Sequence, residues 1–224
     1  MSQYYMKELL EYLEQLQHNN NRQWFADNRD RYDRLRMHWL DDLQRIINVL
    51  AAADPRYGRM TPKNAAFRIY RDIRFSHDKS PFKTYFSAAF SPYGRQVHAA
   101  GYYLHLSADG DAGLYGGIWA PEAPVLKKLR TAIVDNIEEF EQIIEDPKML
   151  AAYPEWSGEE LKTVPKGYDR NHPLAHLLRR KDYGRFHPCD RKFFLDPSWP
   201  EKAAHLFLLL RPLNEFIDYS LNEE

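Results

Sequence analysis

Five basic side chains fall within the nineteen residues Phe67–Tyr85: Arg68, Arg71, Arg74, Lys79 and Lys83. Only Asp72 and Asp78 offset them, with His77 between. The whole chain carries a formal net charge of −1, so this local excess is a concentration and not a background. Ser76, His77, Asp78, Lys79 and Ser80 are consecutive, and Lys83 lies just beyond Pro81. Hydroxyls, backbone N–H groups and cations converging in a turn suit a phosphate or a carboxylate. His77 and Asp78 are also residue types that do acid–base work near neutral pH. The competing reading of the same residues is a polar hairpin loop.

These groups need a scaffold, and the apolar pattern around them has period two. Phe67, Ile69, Arg71, Ile73 and Phe75 fall on one face of an expected strand, and Arg68, Tyr70, Asp72 and Arg74 on the other. Ser76–Pro81 is then the turn and Phe82–Ser91 the partner strand. Arg71 sits in the middle of the apolar face. A guanidinium there needs either a carboxylate from a covering helix or an anionic ligand, because an unpaired buried charge costs several kcal/mol. This phasing divides the cluster into a buried anchor, Arg71, and an anion-facing turn, Ser76–Lys83.

Gly101–Ser107 and Gly113–Trp119 read as further strands, with Asp109-Gly110 turning between them, so an antiparallel meander is expected. Before the sheet, Met6–Leu16 repeats at helical spacing, asparagines at 19–21 end that helix and cap the next, and a second helix runs from about Arg22 to Ala53. A break near Asp27–Asp30 is compatible with the pattern. Arg29, Arg31, Arg34 and Arg36, interleaved with Asp30 and Asp33, read as a solvated, salt-bridged face. Arg56–Ala66 is a connector. After the sheet, Pro121–Glu145 is helical, His172-Pro173 opens a short helix, Arg185–Asp196 is extended or irregular, and Trp199–Leu221 is a helix that Pro212 kinks, or splits at Arg211. The fold class is α+β: an antiparallel sheet of about four or more strands in the middle of the chain, covered by N-terminal, central and C-terminal helices. One domain over 1–224 is expected, helical over 1–55, mainly β over 67–120, and helical with irregular segments over 121–224.

Composition narrows the function classes. A near-neutral chain is not a protein with a basic surface throughout, although a local basic patch remains compatible. One cysteine, Cys189, excludes an intramolecular disulfide framework and a multi-cysteine zinc site, and reads as a packed thiol. Motifs of metalloproteases, serine hydrolases and phosphate-binding Gly-rich loops are missing. His172 and His176 are four apart, but His172 precedes Pro173 and so falls outside the helix. No metal and no cofactor is expected. A secretory signal and an apolar run of membrane-spanning length are also missing, which leads to the expectation of a soluble, cytoplasmic protein without a membrane partner.

The run RIYRDIRFSHDKSPFKT at 68–84 resembles the signature of a family of conserved hypothetical proteins, the domain-of-unknown-function 2461 family. NNNRQWF at Asn19–Phe25, GYYLHLS at Gly101–Ser107, GGIWAPE at Gly116–Glu122 with Leu126 and Arg130 beyond, and PKGYDRNHP at Pro165–Pro173 match in the family's order. Phe82 stands where tyrosine is frequent. The resemblance covers nearly the whole chain and implies an intracellular α+β domain, but no reaction. The matching pieces suggest a shared cleft in which Lys166 is a further anion contact. Trp119 reads as core, and Gly116 and Gly117 either mark a bulge or let a backbone or ligand approach.

The expected ligand-binding set is therefore Arg68, Arg71, Arg74, His77, Asp78, Lys79, Lys83 and Lys166, for an anionic small molecule bearing phosphate or carboxylate, with turnover left open. One alternative is a single-stranded nucleic-acid module, in which exposed Tyr or Phe stack on bases. The other is a structural protein whose cluster is an internal salt-bridge network.

Overall fold

The apolar spacing of the first fifty residues produces amphipathic helices in the computed structural model, which describes residues 4–94 and 99–222. Helix α1 (Met6–His18) buries Met6, Leu9, Leu10, Leu13 and Leu16. Helices α2 (Arg22–Asp27) and α3 (Arg29–Ala53) part at Asn28, within the segment where the pattern allows a break. Asn21 is the N-cap of α2, its side-chain oxygen accepting from the Trp24 amide at 2.9 Å. The connector is more ordered than expected. It winds into a 3-10 turn (Pro55–Arg59) and the one-turn helix α4 (Pro62–Ala65), because Asp54 and Thr61 cap them and a proline opens each.

The sheet is antiparallel, with four strands in the order β1-β2-β3-β4: β1 (Tyr85–Phe90), β2 (Gly101–Ser107), β3 (Gly113–Ile118) and β4 (Tyr183–Pro188). Helices α5 (Ala123–Asp135), α6 (Ile137–Ile144), α7 (Pro147–Ala152) and α8 (Ala175–Leu178) lie between β3 and β4 in sequence. His172 precedes α8, and its Nδ1 accepts from the Leu174 amide at 3.1 Å. The segment expected to be extended or irregular supplies β4 and then coils into α9 (Arg191–Leu195), capped by Asp190. Helices α10 (Trp199–Leu209) and α11 (Arg211–Asn222) divide where Pro212 requires. The proline falls in the first turn of α11, where its missing N–H leaves no bond unmade. Among the described residues no helix is long and apolar enough to cross a membrane.

The chain gathers into two compact units, whose described residues are 4–94, 103–114 and 188–205 for the first and 99–102, 115–187 and 206–222 for the second. In the first unit Trp39 and Trp199 stack with centroids 5.7 Å apart. Beside them the buried Asp42 accepts from the hydroxyls of Tyr4 (2.6 Å) and Tyr5 (2.8 Å) and from Arg45 Nη1 (2.8 Å). Cys189 is buried in this unit, and burial pushes its thiol up to about 12, the behaviour of a packed thiol.

The second unit buries three arginines, Arg130, Arg180 and Arg185. Arg185 has no carboxylate partner among the described residues. It donates to the carbonyls of Tyr153 (2.7 Å), Pro154 (3.2 Å) and Ile144 (3.3 Å), at the ends of α7 and α6, where the helix dipoles are negative. The Trp156 ring lies 4.3 Å from its guanidinium carbon. Burial, with Arg180 nearby, lowers its pKa to about 10, so it keeps its charge at neutral pH. Arg130 reaches β4, where it hydrogen-bonds the Tyr183 hydroxyl, and it also donates to the Arg180 carbonyl at 2.8 Å.

Trp119 corrects its expected placement in the core: it is 65% exposed, beside Ala120 at φ 44°. Gly117 serves a close backbone approach. Its φ is 127°, and a Cβ there would lie 2.2 Å from the Tyr183 carbonyl oxygen. Gly117→Ala should therefore destabilise the protein by about 2–4 kcal/mol in chemical denaturation. Gly58→Ala, at a site with nothing within 4 Å of the added Cβ, should change stability far less.

Candidate functional site

The stretch expected to form the first strand is an irregular arm. It makes two isolated bridges, Ala66 with Ala88 and Tyr70 with Phe82, so the four steps from Ala66 to Tyr70 face six from Phe82 to Ala88. That mismatch breaks the ladder, and single backbone bonds bracket it: Phe67 N to Ser87 O at 2.9 Å, Lys83 N to Ile69 O at 2.7 Å and Arg71 N to Pro81 O at 3.0 Å. Pro81 contributes no donor. The face alternation survives without a strand, since Ile69 is buried and Phe67, Arg71 and Ile73 are half-buried, while Arg68, Tyr70, Asp72 and Arg74 are exposed. Phe75 departs from the expected inward face and is 94% exposed.

Arg71 is not the buried anchor its position suggests. Its side chain is 27% exposed, and its partner is Asp78 from the turn itself, not a carboxylate on a covering helix. Its Nη1 also donates to Ser80 O (3.2 Å) and its Nη2 to Ser76 Oγ (3.4 Å). Asp78 Oδ1 accepts from the Ser80 amide (2.9 Å) and hydroxyl (2.6 Å), and Lys79 Nζ donates to Ile73 O (3.1 Å). Most of the turn's polar groups thus close the turn on itself. Arg74 pairs with Asp72 through Nε (3.0 Å) and Nη2 (2.7 Å). Arg68 and His77 are exposed. The Lys83 ammonium lies 5.2 Å from the Phe67 ring and 5.7 Å from that of Tyr85. Lys166 belongs to the second unit, is exposed, and lines neither of the clefts described next.

Two open clefts flank the arm, both within the first unit and both bordered by Arg71 and Phe82. One, of about 560 Å³, adds Gln17, Asn20, Asp72, Asp78, Lys83 and Tyr85 to its wall. Its two cations face two carboxylates. The other, of about 510 Å³, is bordered by Arg22, Arg29 and Arg71 and by Phe25, Tyr70 and Pro81, with no carboxylate in its lining. Arg29 is shared: its Nε pairs with Asp33 at 2.8 Å and its Nη1 donates to the Tyr70 hydroxyl at 3.3 Å. The Arg22 side chain makes no hydrogen bond or ion pair among the described residues.

Sequence reading missed Arg22 and assigned Arg29 to a solvated face only. The available signal was spacing, since Arg22, Phe25 and Arg29 fall at i, i+3 and i+7 and share one helical side. It also missed the work of Asn20. That side chain donates from Nδ2 to Phe82 O at 2.9 Å and accepts on Oδ1 from Phe82 N at 3.1 Å, pairing with the peptide as a neighbouring strand would. Behind it the Phe25 and Phe82 rings stack at 4.0 Å. Among the described residues there is no group of three or more His, Cys, Asp or Glu able to hold a metal.

Asn20→Ala should cost about 1–2 kcal/mol, the worth of two hydrogen bonds, and should speed hydrogen exchange at the Phe82 amide ahead of the helices. A second outcome concerns acid. The Ser80 hydroxyl and amide, with Arg71, lower the Asp78 carboxyl from 3.8 to about 2. Its folded pKa is depressed, so its contribution to holding the turn is complete above about 4 and fades as pH falls through about 2. Carbon-detected NMR of the Asp78 carboxyl should give a midpoint near 2, and Ser80→Ala should raise it.

No curated protein and no solved structure matches the chain. A family model does, over residues 8–216, nearly the whole length, and the arm, the Asn20 segment and the β2 and β3 motifs all lie within that span. The chain therefore belongs to the family described as Conserved hypothetical protein (DUF2461).

Proposed function

We propose that the arm, α2 and the start of α3 together bind an anionic small molecule, carrying phosphate or carboxylate, in the cleft bordered by Arg22, Arg29 and Arg71. The observation that carries this reading is the charge of the lining: three guanidinium groups border that cleft with no carboxylate among them. The opposite cleft is the weaker candidate, because Asp72 and Asp78 balance Arg71 and Lys83. Arg22 supplies an uncommitted planar fork, suited to two parallel hydrogen bonds with a carboxylate or phosphate. Arg71 and Arg29 add positive field at a discount, since Asp78 and Asp33 already partner them. In this reading Arg74, Asp78 and Lys79 shape the arm, and turnover is not claimed.

A second reading is favoured by the Arg71–Asp78 and Arg74–Asp72 pairs themselves: the charges of the arm serve only to brace it. Thermal denaturation with and without phosphate- and carboxylate-bearing compounds separates the two. A ligand at about a hundred times its Kd stabilises by about 2.7 kcal/mol, which for a chain of this size raises Tm by about 5–10 °C. Arg22→Glu should abolish the shift while leaving the unliganded Tm within about 1 °C, as for an exposed substitution. A complete lack of shift across inorganic phosphate, sugar phosphates, nucleotides and organic acids would leave the bracing reading in its place.

A further inference from the structure

The same cleft has a feature that an anion alone does not use. Tyr70 exposes 45% of its surface there, yet it is held from several sides. Its backbone bridges to Phe82, and its ring packs edge-on against Phe25 at 5.8 Å and tilted against Phe82 at 5.4 Å. Its hydroxyl accepts from Arg29 Nη1 at 3.3 Å. Phe25 and Phe82 behind it are buried, so the apolar surface offered by the cleft is chiefly the Tyr70 ring, with Ile73 and Pro81 beside it.

A large aromatic face held open to water gives up the stabilisation that its burial would bring. A small inorganic anion, or a sugar phosphate lying on Arg22, would leave that face wet. Phe75 beside Arg74 and Tyr93 beside Arg56 are exposed too, but neither lines either cleft; of the aromatic residues that do, Tyr70 is the exposed one. On the anion reading above, we infer that the ligand is an aryl anion: a planar aromatic ring that stacks on Tyr70, bearing a phosphate or carboxylate that Arg22 and Arg71 receive. Arg29 acts here as a positioning residue, since its bond to the Tyr70 hydroxyl sets the ring's attitude while its charge adds to the field.

Phenyl phosphate, cyclohexyl phosphate and inorganic phosphate carry the same anionic group on a flat ring, a puckered ring and no ring. Titrated calorimetrically into the full chain, phenyl phosphate should bind about tenfold more tightly than cyclohexyl phosphate, the increment expected of one stacking contact, with inorganic phosphate weakest. Tyr70→Ala should erase the difference between the two ring compounds, and Tyr70→Phe should keep it. Arg22→Glu should weaken all three. Equal affinities for all three in the wild-type chain overturn the aryl class and leave the anion reading standing. A flat-ring preference that survives Tyr70→Ala in a variant shown to be folded by circular dichroism overturns Tyr70 as the stacking surface, and with it the placement of the aryl ring in this cleft. Failure of all three to bind the wild-type chain at millimolar concentration overturns the anion reading itself, and the aryl class with it. The comparison of ligands on the wild-type chain remains decisive even where the alanine variant does not fold.

Discussion

The two hydrogen bonds between the Asn20 side chain and the Phe82 peptide are the constraint on which the candidate site depends. The arm has too few bridges to stand as a strand, and its ladder is broken by unequal spacing on its two sides. A side-chain amide reaching across 62 positions of sequence supplies the pairing that a backbone neighbour would otherwise give. It also holds Phe82 where its ring stacks on Phe25. The helical side of the site, Arg22 and Arg29, and the arm side, Tyr70 and Arg71, meet across that fixed point.

Charge is handled differently in the two units. In the second, Arg185 is buried with both terminal nitrogens donating to main-chain carbonyls at helix ends, so its positive charge meets the negative ends of dipoles. In the first, exposed cations of the arm find carboxylates close by in sequence: Arg71 takes Asp78 and Arg74 takes Asp72. Exposed pairs of that kind contribute little to stability, and their effect is to fix the shape of the turn. Arg22 and Arg68 make no side-chain hydrogen bond or ion pair among the described residues; Arg22 borders the cleft that carries no carboxylate, whereas Arg68 lines neither of the two clefts.

Local patterning made much of the fold legible. The period of the N-terminal helices, the glycine-marked β2 and β3 and the split at Pro212 each rest on interactions within a few residues, and each appears where the pattern puts it. The alternation of the arm was legible as well, because facing in and facing out depend only on extended backbone. Its pairing was not. Whether an extended segment joins a sheet depends on the register of a partner, and six steps facing four is a property of the pair. Trp119 was misplaced for a related reason: composition favours burial of tryptophan, whereas this one follows the end of β3, next to Ala120 at φ 44°, and is exposed.

The sequence by itself determined the family, the α+β class, the helical faces and the concentration of charge between Phe67 and Tyr85. These follow from residue types at short spacing, where chain geometry leaves few alternatives. Tertiary structure alone decided which charges remain available. Arg71 is partnered because the turn folds Asp78 back onto it, and Arg22 enters the site because Asn20 ties its helix to the arm. The Asn20 tie joins segments 62 positions apart, and the Arg71–Asp78 pair depends on how the turn closes; residue spacing encodes neither. The stretch that reads as one cluster closes many of its charges into pairs of its own, and the cleft without a carboxylate opens beside it.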